Sequence, residues 1–481
     1  MLDIWPPLPI AIWANPDLTA GRYDESNIIA AFNSEYNDRI SRVQLCDFPR
    51  SHLEEILAAM HQPFPALSFL ELGLGDYEDA TVAVIPDSFL GGSAPYLQTL
   101  ILDYIPFPGL LNLLLSATHL VELGLWRIPH SVYFPPEVLA DCLSVLTRLE
   151  ILKFEFEFLQ SRCDQNSRHP RPPTRTLLPV LTELWFRGLD GYLEDLVSHI
   201  DAPLLNKLDI IFFHEPIIDT PQLTHLISRT PKFKAHDEAR VVFFDRQVSV
   251  ALPHPQIVHK TLKLGISYKE SDLQLLPLAQ VCSSSCPQGF ISAVEDLKII
   301  WDEHWGSQDS DLIENSQWVE LLRPFTGLKS LCMSEEAAPR IARALQELIG
   351  ERLTEVLPAL ETFFIRDDVG AGPRRHCGVR LCATVFWSSH YHFLLRWISW
   401  VILVETCRTE ERTCPHIEVS NPSMSPPRAF TLIALFLSHL CLNAMYLQAA
   451  ILLTVITVKS ALNFMALGEK QAKCLLYEMG S

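Results

Sequence analysis

Basic residues are scarce in this chain: 38 Lys+Arg stand against 57 Asp+Glu, for a net charge of −19. A nucleic-acid partner needs a basic face, so this balance argues against one. A disulfide framework is also missing. Cys46, Cys142, Cys163, Cys282, Cys286 and Cys332 are scattered through apolar or mixed surroundings, which suits a reducing compartment, the cytoplasm or nucleus. The one sequon-like string, Asn421-Pro422-Ser423, carries the proline that forbids glycosylation. The first residues are apolar, but Asp3 stands where a basic region belongs and Pro6, Pro7 and Pro9 interrupt the run, so no secretory signal is read there.

Chemistry is equally thin. There is no nucleophile elbow and no metalloprotease motif. Gly73 and Gly75 lack the rest of a phosphate loop. Cys377, Cys382, Cys407, Cys414 and His416, with His390 and His392, match no closed zinc spacing. Asp302-Glu303-His304 offers groups suited to acid–base work, but no partner motif accompanies it. The expectation is a chain that is not an enzyme and takes no cofactor or metal. A hydrolase in the irregular stretch 232–294 is the remote alternative.

What the chain does have is one recurring phrase: a leucine, two variable residues, a leucine, one variable residue and another apolar residue. Leu67, Leu70 and Leu72 carry it first, then Leu97, Leu100 and Leu102, and Leu120, Leu123 and Leu125. Leu149, Leu152 and Phe154 come next, then Leu181, Leu184 and Phe186, and Leu205, Leu208 and Ile210. Fainter copies start at Val294, Leu328 and Leu360. The last two anchors are two apart, so on a strand they share a side. One such strand cannot bury that side alone, whereas stacked copies bury a continuous interior. The phrase is the signature of an irregular leucine-rich repeat. It predicts an α/β solenoid with a curved parallel sheet and helices on the convex side. Pro65, Pro95, Pro179, Pro203 and Pro358 sit two residues before a first anchor, outside the ladder where proline is tolerated.

Helical stretches separate the phrases. Residues 51–60 read as a helix with Ser51 and Glu54 as a capping box. Residues 109–117, 136–146 and 192–200 are further helices, and Thr220-Pro221 is a good helix start. Residues 39–45 alternate as an edge strand would. A long helix is expected over 335–356, and a last strand at 360–366. The segment 160–175, rich in Arg, Pro and Ser, reads as an exposed loop.

Residues pointing away from the leucines are the candidates for partner contact on the concave face. They are Glu71, Asp103, Trp126, Lys153, Glu155, Trp185, Arg187, Lys207 and Asp209. Tryptophan and arginine are favoured as interface anchors.

Several strings carry a resemblance. Asp87-Ser88-Phe89-Leu90-Gly91-Gly92-Ser93-Ala94-Pro95, Leu114-Leu115-Ser116-Ala117-Thr118-His119-Leu120-Val121 and Arg127-Ile128-Pro129-His130-Ser131 are three of them. Tyr192-Leu193-Glu194-Asp195-Leu196, Ile200-Asp201-Ala202-Pro203 and Thr220-Pro221-Gln222-Leu223 fit with them. Together they resemble F-box proteins with leucine-rich repeats from mushroom-forming fungi, over 1–370. The resemblance implies substrate recognition in ubiquitin ligation, with the repeats holding a protein substrate and an F-box docking the adaptor of a cullin-RING ligase. No F-box is recognisable in this sequence, and residues 1–15 resemble the segment that lies just after such a module. The asparagine usual after each phrase is replaced by Gly75, Ile105, Ile128 and Glu157.

The chain changes character near Gly372. From 371 onward, 10 basic and 6 acidic residues give +4; the rest holds 38 − 10 = 28 basic and 57 − 6 = 51 acidic, or −23. Residues 429–458 contain no charge, long enough to span a bilayer, so a membrane-tethered repeat scaffold is the alternative reading. The expected organisation is a capping segment 1–63, a solenoid 64–370, a linker region 371–428, an apolar helix 429–458, either transmembrane or buried, and a tail 459–481.

Overall fold

The structure, a computed structural model, describes residues 8–366 apart from internal stretches, of which 158–174 and 302–312 are the longest. The chain divides into two compact units, 1–391 and 392–481, and all described residues lie in the first.

In chain order the strands are β1 (Ile10–Ala14), β2 (Ile40–Phe48), β3 (Phe69–Leu74), β4 (Thr99–Asp103), β5 (Glu122–Ile128), β6 (Ile151–Phe156), β7 (Thr176–Leu177) and β8 (Glu183–Gly188). They continue with β9 (Ile200–Asp201), β10 (Lys207–Phe213), β11 (Glu238–Phe244), β12 (Gln247–His254), β13 (Ile257–Ser267), β14 (Asp296–Trp301), β15 (Ser330–Ser334) and β16 (Thr362–Arg366). The helices are α1 (Glu25–Phe32), α2 (Arg50–Ala59), α3 (Leu110–Ser116), α4 (Pro136–Leu143), α5 (Asp190–His199), α6 (Pro221–Arg229), α7 (Leu276–Ser285), α8 (Asn315–Leu322) and α9 (Ala338–Glu347). β7 and β9 pair with each other; the other strands form one sheet.

The leucine phrases form the interior as their spacing predicts. Leu70, Leu100, Leu123, Leu152, Leu184 and Leu208 are buried and occupy matched positions on neighbouring parallel strands. The buried sides of α2 to α8 join them in one apolar cluster. Each first anchor closes a tight turn whose amide donates to the carbonyl three residues back. The turn recurs ten times among the described residues, from Leu67 N to Phe64 O through Leu360 N to Leu357 O. Pro65, Pro95, Pro179, Pro203, Pro231 and Pro358 fill its second position, where their fixed φ presets the bend. Next comes a clamp between repeats. The Ser68 carbonyl accepts from both Gln98 and Thr99, Gln98 from Val121 and Glu122, and the pattern continues through Thr182 to Asn206 and Lys207.

That clamp breaks after β10, and the strand order shows why. It runs β10-β13-β12-β11-β14, so the hairpin β12–β13 lies between two strands that would otherwise be neighbours. β13 is parallel to β10, β11 is parallel to β14, and β12 alone runs the other way. The chain reverses at Arg246, whose φ of 49° is left-handed. This inserted meander replaces the weak pattern of 232–294, and α7 packs behind β12 and β13. The clamp resumes with Asp237 accepting from Glu295 and Asp296.

Two local expectations are corrected. Residues 39–45 are not an edge strand, because β1 pairs outside β2 with Ile12 beside Val43 and Ala14 beside Leu45. Helix α2 has no side-chain cap. Glu54 pairs with Arg50 at 2.7 Å rather than closing a box with Ser51. Thr220 does precede α6, but its hydroxyl meets that of Ser285 at 2.6 Å. The cap comes instead from α5: the Glu194 carboxylate accepts the amides of Gln222 and Leu223, both at 2.8 Å.

Burial pushes Glu194 up to about 7, against the lowering by those two amides. The folded chain therefore keeps this proton to higher pH than the unfolded chain does. Stability falls as pH rises from the ordinary carboxylate range through about 7. Glu194→Gln keeps one acceptor and cannot ionise, so its stability should fall less over that window. Urea unfolding of both forms at pH ~5 and ~8 checks this. Equal slopes would mean that Glu194 is ionised throughout.

Candidate protein-binding face

Strand alternation turns every second residue to the face opposite the leucines. All nine predicted residues lie there and all are half-buried: Glu71 on β3, Asp103 on β4, Trp126 on β5, Lys153 and Glu155 on β6, Trp185 and Arg187 on β8, and Lys207 and Asp209 on β10. The register brings them into rows. Glu71, Ile101, Gly124, Lys153, Trp185 and Asp209 stand opposite one another across six strands. Gly73, Asp103 and Trp126 start the next row, and Glu155 and Arg187 lie side by side farther along.

A bulge at the end of β5 adds a residue that alternation alone does not place. The register slips between Leu125 and Ile128, both buried, so Trp126 and Arg127 both reach the open face. Arg127 has φ 49° there, and the same left-handed turn recurs at Asp47 and Tyr104, each with φ 59°. A bulge bends its strand and re-aims a side chain. Here it aims the Arg127 guanidinium at Asp103, with Nε to Oδ1 at 2.7 Å and Nη2 to Oδ2 at 2.6 Å.

The remaining charges also meet opposite charges across strands. Lys153 Nζ donates to Glu122 Oε1 at 2.6 Å, Lys207 to Glu183 at 3.0 Å, and Lys263 to Asp209 at 3.2 Å. Arg187 donates to Glu155 at 3.2 Å and to the buried Ser267 hydroxyl at 2.6 Å. Burial raises Glu155 and Asp209, although Arg187 and Lys263 pull them back. Glu71 is raised by burial as well and sits beside Cys46, whose thiol is pushed up to about 12 by burial and by that carboxylate. Such a thiol stays protonated and is a poor nucleophile.

The two tryptophans touch. Their ring centroids are 4.6 Å apart at 53°. Lys153 stands beside Trp185 in the register, but its ammonium is drawn to Glu122. Gly124 leaves room: a side chain there would come within 3.2 Å of Trp126 Nε1 and 3.4 Å of Ile101 Cγ1. Ile101 and Trp126 therefore border the same gap over Gly124.

Sequence reasoning missed Arg127, Glu122, Glu183, Lys263 and Ile101. Extending the alternation by one residue finds Glu122 and Glu183; Arg127 depends on the bulge. Asp302-Glu303-His304, the cysteines and histidines after 371, all of the loop 160–175 except Arg175, and the run 429–458 lie outside the described residues. Gly73 packs near Asp103 and Cys46, and Gly75 lies against the Asp47 carbonyl. Among the described residues, no three His, Cys, Asp or Glu side chains gather to hold a metal ion, and no helix is long and apolar enough to cross a membrane.

No protein-family model matches this chain, and no curated protein does. Among solved structures, the leucine-rich repeat-containing protein LegL7 of Legionella pneumophila is similar, at 10% identity and a TM-score of 0.27, over 71% of this chain and 88% of that one.

Proposed function

We propose that this chain is a binding module that holds another protein against the open, concave face of its sheet, with no catalytic step of its own. The observation that carries this reading is the Trp126–Trp185 contact on a half-buried face. Two indoles left partly in water cost solvation free energy that an arriving partner recovers. The held protein is a substrate for ubiquitin ligation, in the cytoplasm or nucleus. The support for this finer step is the run of strings from Asp87 to Leu223 that resemble the fungal F-box repeat proteins.

The test is co-purification of the full chain with the adaptor of a cullin-RING ligase. The expected result is a stable complex that resists washing, formed through a docking segment that does not resemble an F-box. If the adaptor is absent while a protein still binds the open face, the chain is a binding module outside ubiquitin ligation.

A further inference from the structure

Five acid–base pairs occupy the open face from β4 to β13: Asp103–Arg127, Glu122–Lys153, Glu155–Arg187, Glu183–Lys207 and Asp209–Lys263. Five acids and five bases cancel within these pairs, on a chain whose net charge is −19; Glu71 on β3 stands opposite Ile101 as a further carboxylate at the edge. Among the pairs lie the apolar side chains of Ile101, Trp126 and Trp185, with Lys153 in the same row as Ile101 and Trp185 and Asp103 in the same row as Trp126. Glu122 and Glu183 lie toward the strand starts, and Arg127, Glu155 and Arg187 toward the strand ends. An apolar centre inside a polar rim is the anatomy of a protein interface. The five pairs satisfy one another's charges from β4 to β13, so that part of the rim offers a charged partner little further gain.

From Ile101 on β4 to Trp185 on β8 the row passes Gly124 on β5 and Lys153 on β6. At a strand spacing of about 4.8 Å this is roughly 14 Å, the reach of about four extended residues. The rings of Trp126 and Trp185 are in contact, so they present one continuous apolar surface rather than an open cage around a cation.

From this geometry we infer that Ile101, Trp126 and Trp185 bind a short extended segment of another protein that carries apolar side chains and no net charge. This inference rests on the binding-module reading above and names the chemistry of its partner. Recognition is by apolar contact, and the ion pairs set the boundaries of the site.

Random peptides of about ten residues, displayed on phage and selected against the immobilised full chain, test it. The expected winners are uncharged and apolar. As soluble peptides they should lose affinity by about tenfold or more against Trp126→Ala and Trp185→Ala. They should change by less than about twofold between ~50 and ~500 mM sodium chloride. Both tryptophans are only partly buried, so the variants should melt within about 3 °C of the parent, which serves as the folding control. Winners that are charged and salt-sensitive, yet still lost in the tryptophan variants, overturn the partner's chemistry and leave the binding face standing. No winners, or winners indifferent to both variants, overturn both readings.

Discussion

Phe154→Ala should lower the unfolding free energy by about 3–5 kcal/mol, the usual range for emptying a buried aromatic site. Phe154 is fully buried, lies between Leu125 and Phe186 in the register, and meets the Phe134 ring at 6.3 Å. Its neighbours are held by parallel strand pairing on both sides, so they cannot collapse into the void. In a stacked array each repeat is stabilised mainly by its two neighbours. A cavity in β6 therefore weakens the contacts of β5 and β8 as well. Trp185→Ala, on the open face of the adjacent strand, removes a larger side chain but should cost no more than about 1.5 kcal/mol, because only part of its area leaves water on folding. Urea unfolding monitored by circular dichroism gives both values. Equal losses would mean that Trp185 is buried as deeply as Phe154; reversed losses would mean that the two faces of the sheet had been exchanged.

That contrast also marks how far the sequence is legible. Period-two spacing assigns sides, so the buried Leu123, Leu152 and Leu184 and the half-buried Trp126, Lys153 and Trp185 can all be read from it. What spacing does not carry is a change of register. Arg127 reaches the open face only because the chain turns left-handed there, an arginine conformation that its pairing with Asp103 and the surrounding sheet must sustain. The meander is hidden for a related reason. Residues 261–266 alternate visibly, but their pairing with β10 rather than with a later repeat depends on contacts distant in sequence. Helix caps escape a sequence reading because the nearest polar residue need not serve. Thr220 is committed to Ser285, and a carboxylate from the preceding helix takes its place. The open-face charges Glu122 and Glu183 are within reach; the alternation has only to be continued one residue toward each strand start.

The second large effect lies in a turn. Gly327→Ala should destabilise the fold by about 3 kcal/mol, the upper part of the range for overpacking a tight site. The turn from Phe325 to Leu328 is one of the ten that begin repeats. A methyl group at Gly327 would run into the Ser292 carbonyl oxygen, and that contact is backbone rather than a flexible side chain. Neither side is free to yield. Leu328 donates to Phe325 at 3.1 Å, and Lys329 and Ser330 both donate to Glu295, at 2.8 and 2.9 Å. Moving the turn away therefore pulls on the clamp that joins β14 to β15. The same position in other turns holds Ala66, Val180 and Ala359, so the requirement for glycine is specific to this repeat. Gly191→Ala is the matched control. Gly191 lies in α5 with nothing within 4 Å of the added carbon, and alanine there should stabilise by about 0.4–1 kcal/mol by narrowing the unfolded ensemble. Denaturation midpoints moving in opposite directions for these two substitutions are the expected result. A neutral Gly327→Ala would show that adjacent repeats can slide apart without loss, and that the carbonyl clamp does not fix their spacing.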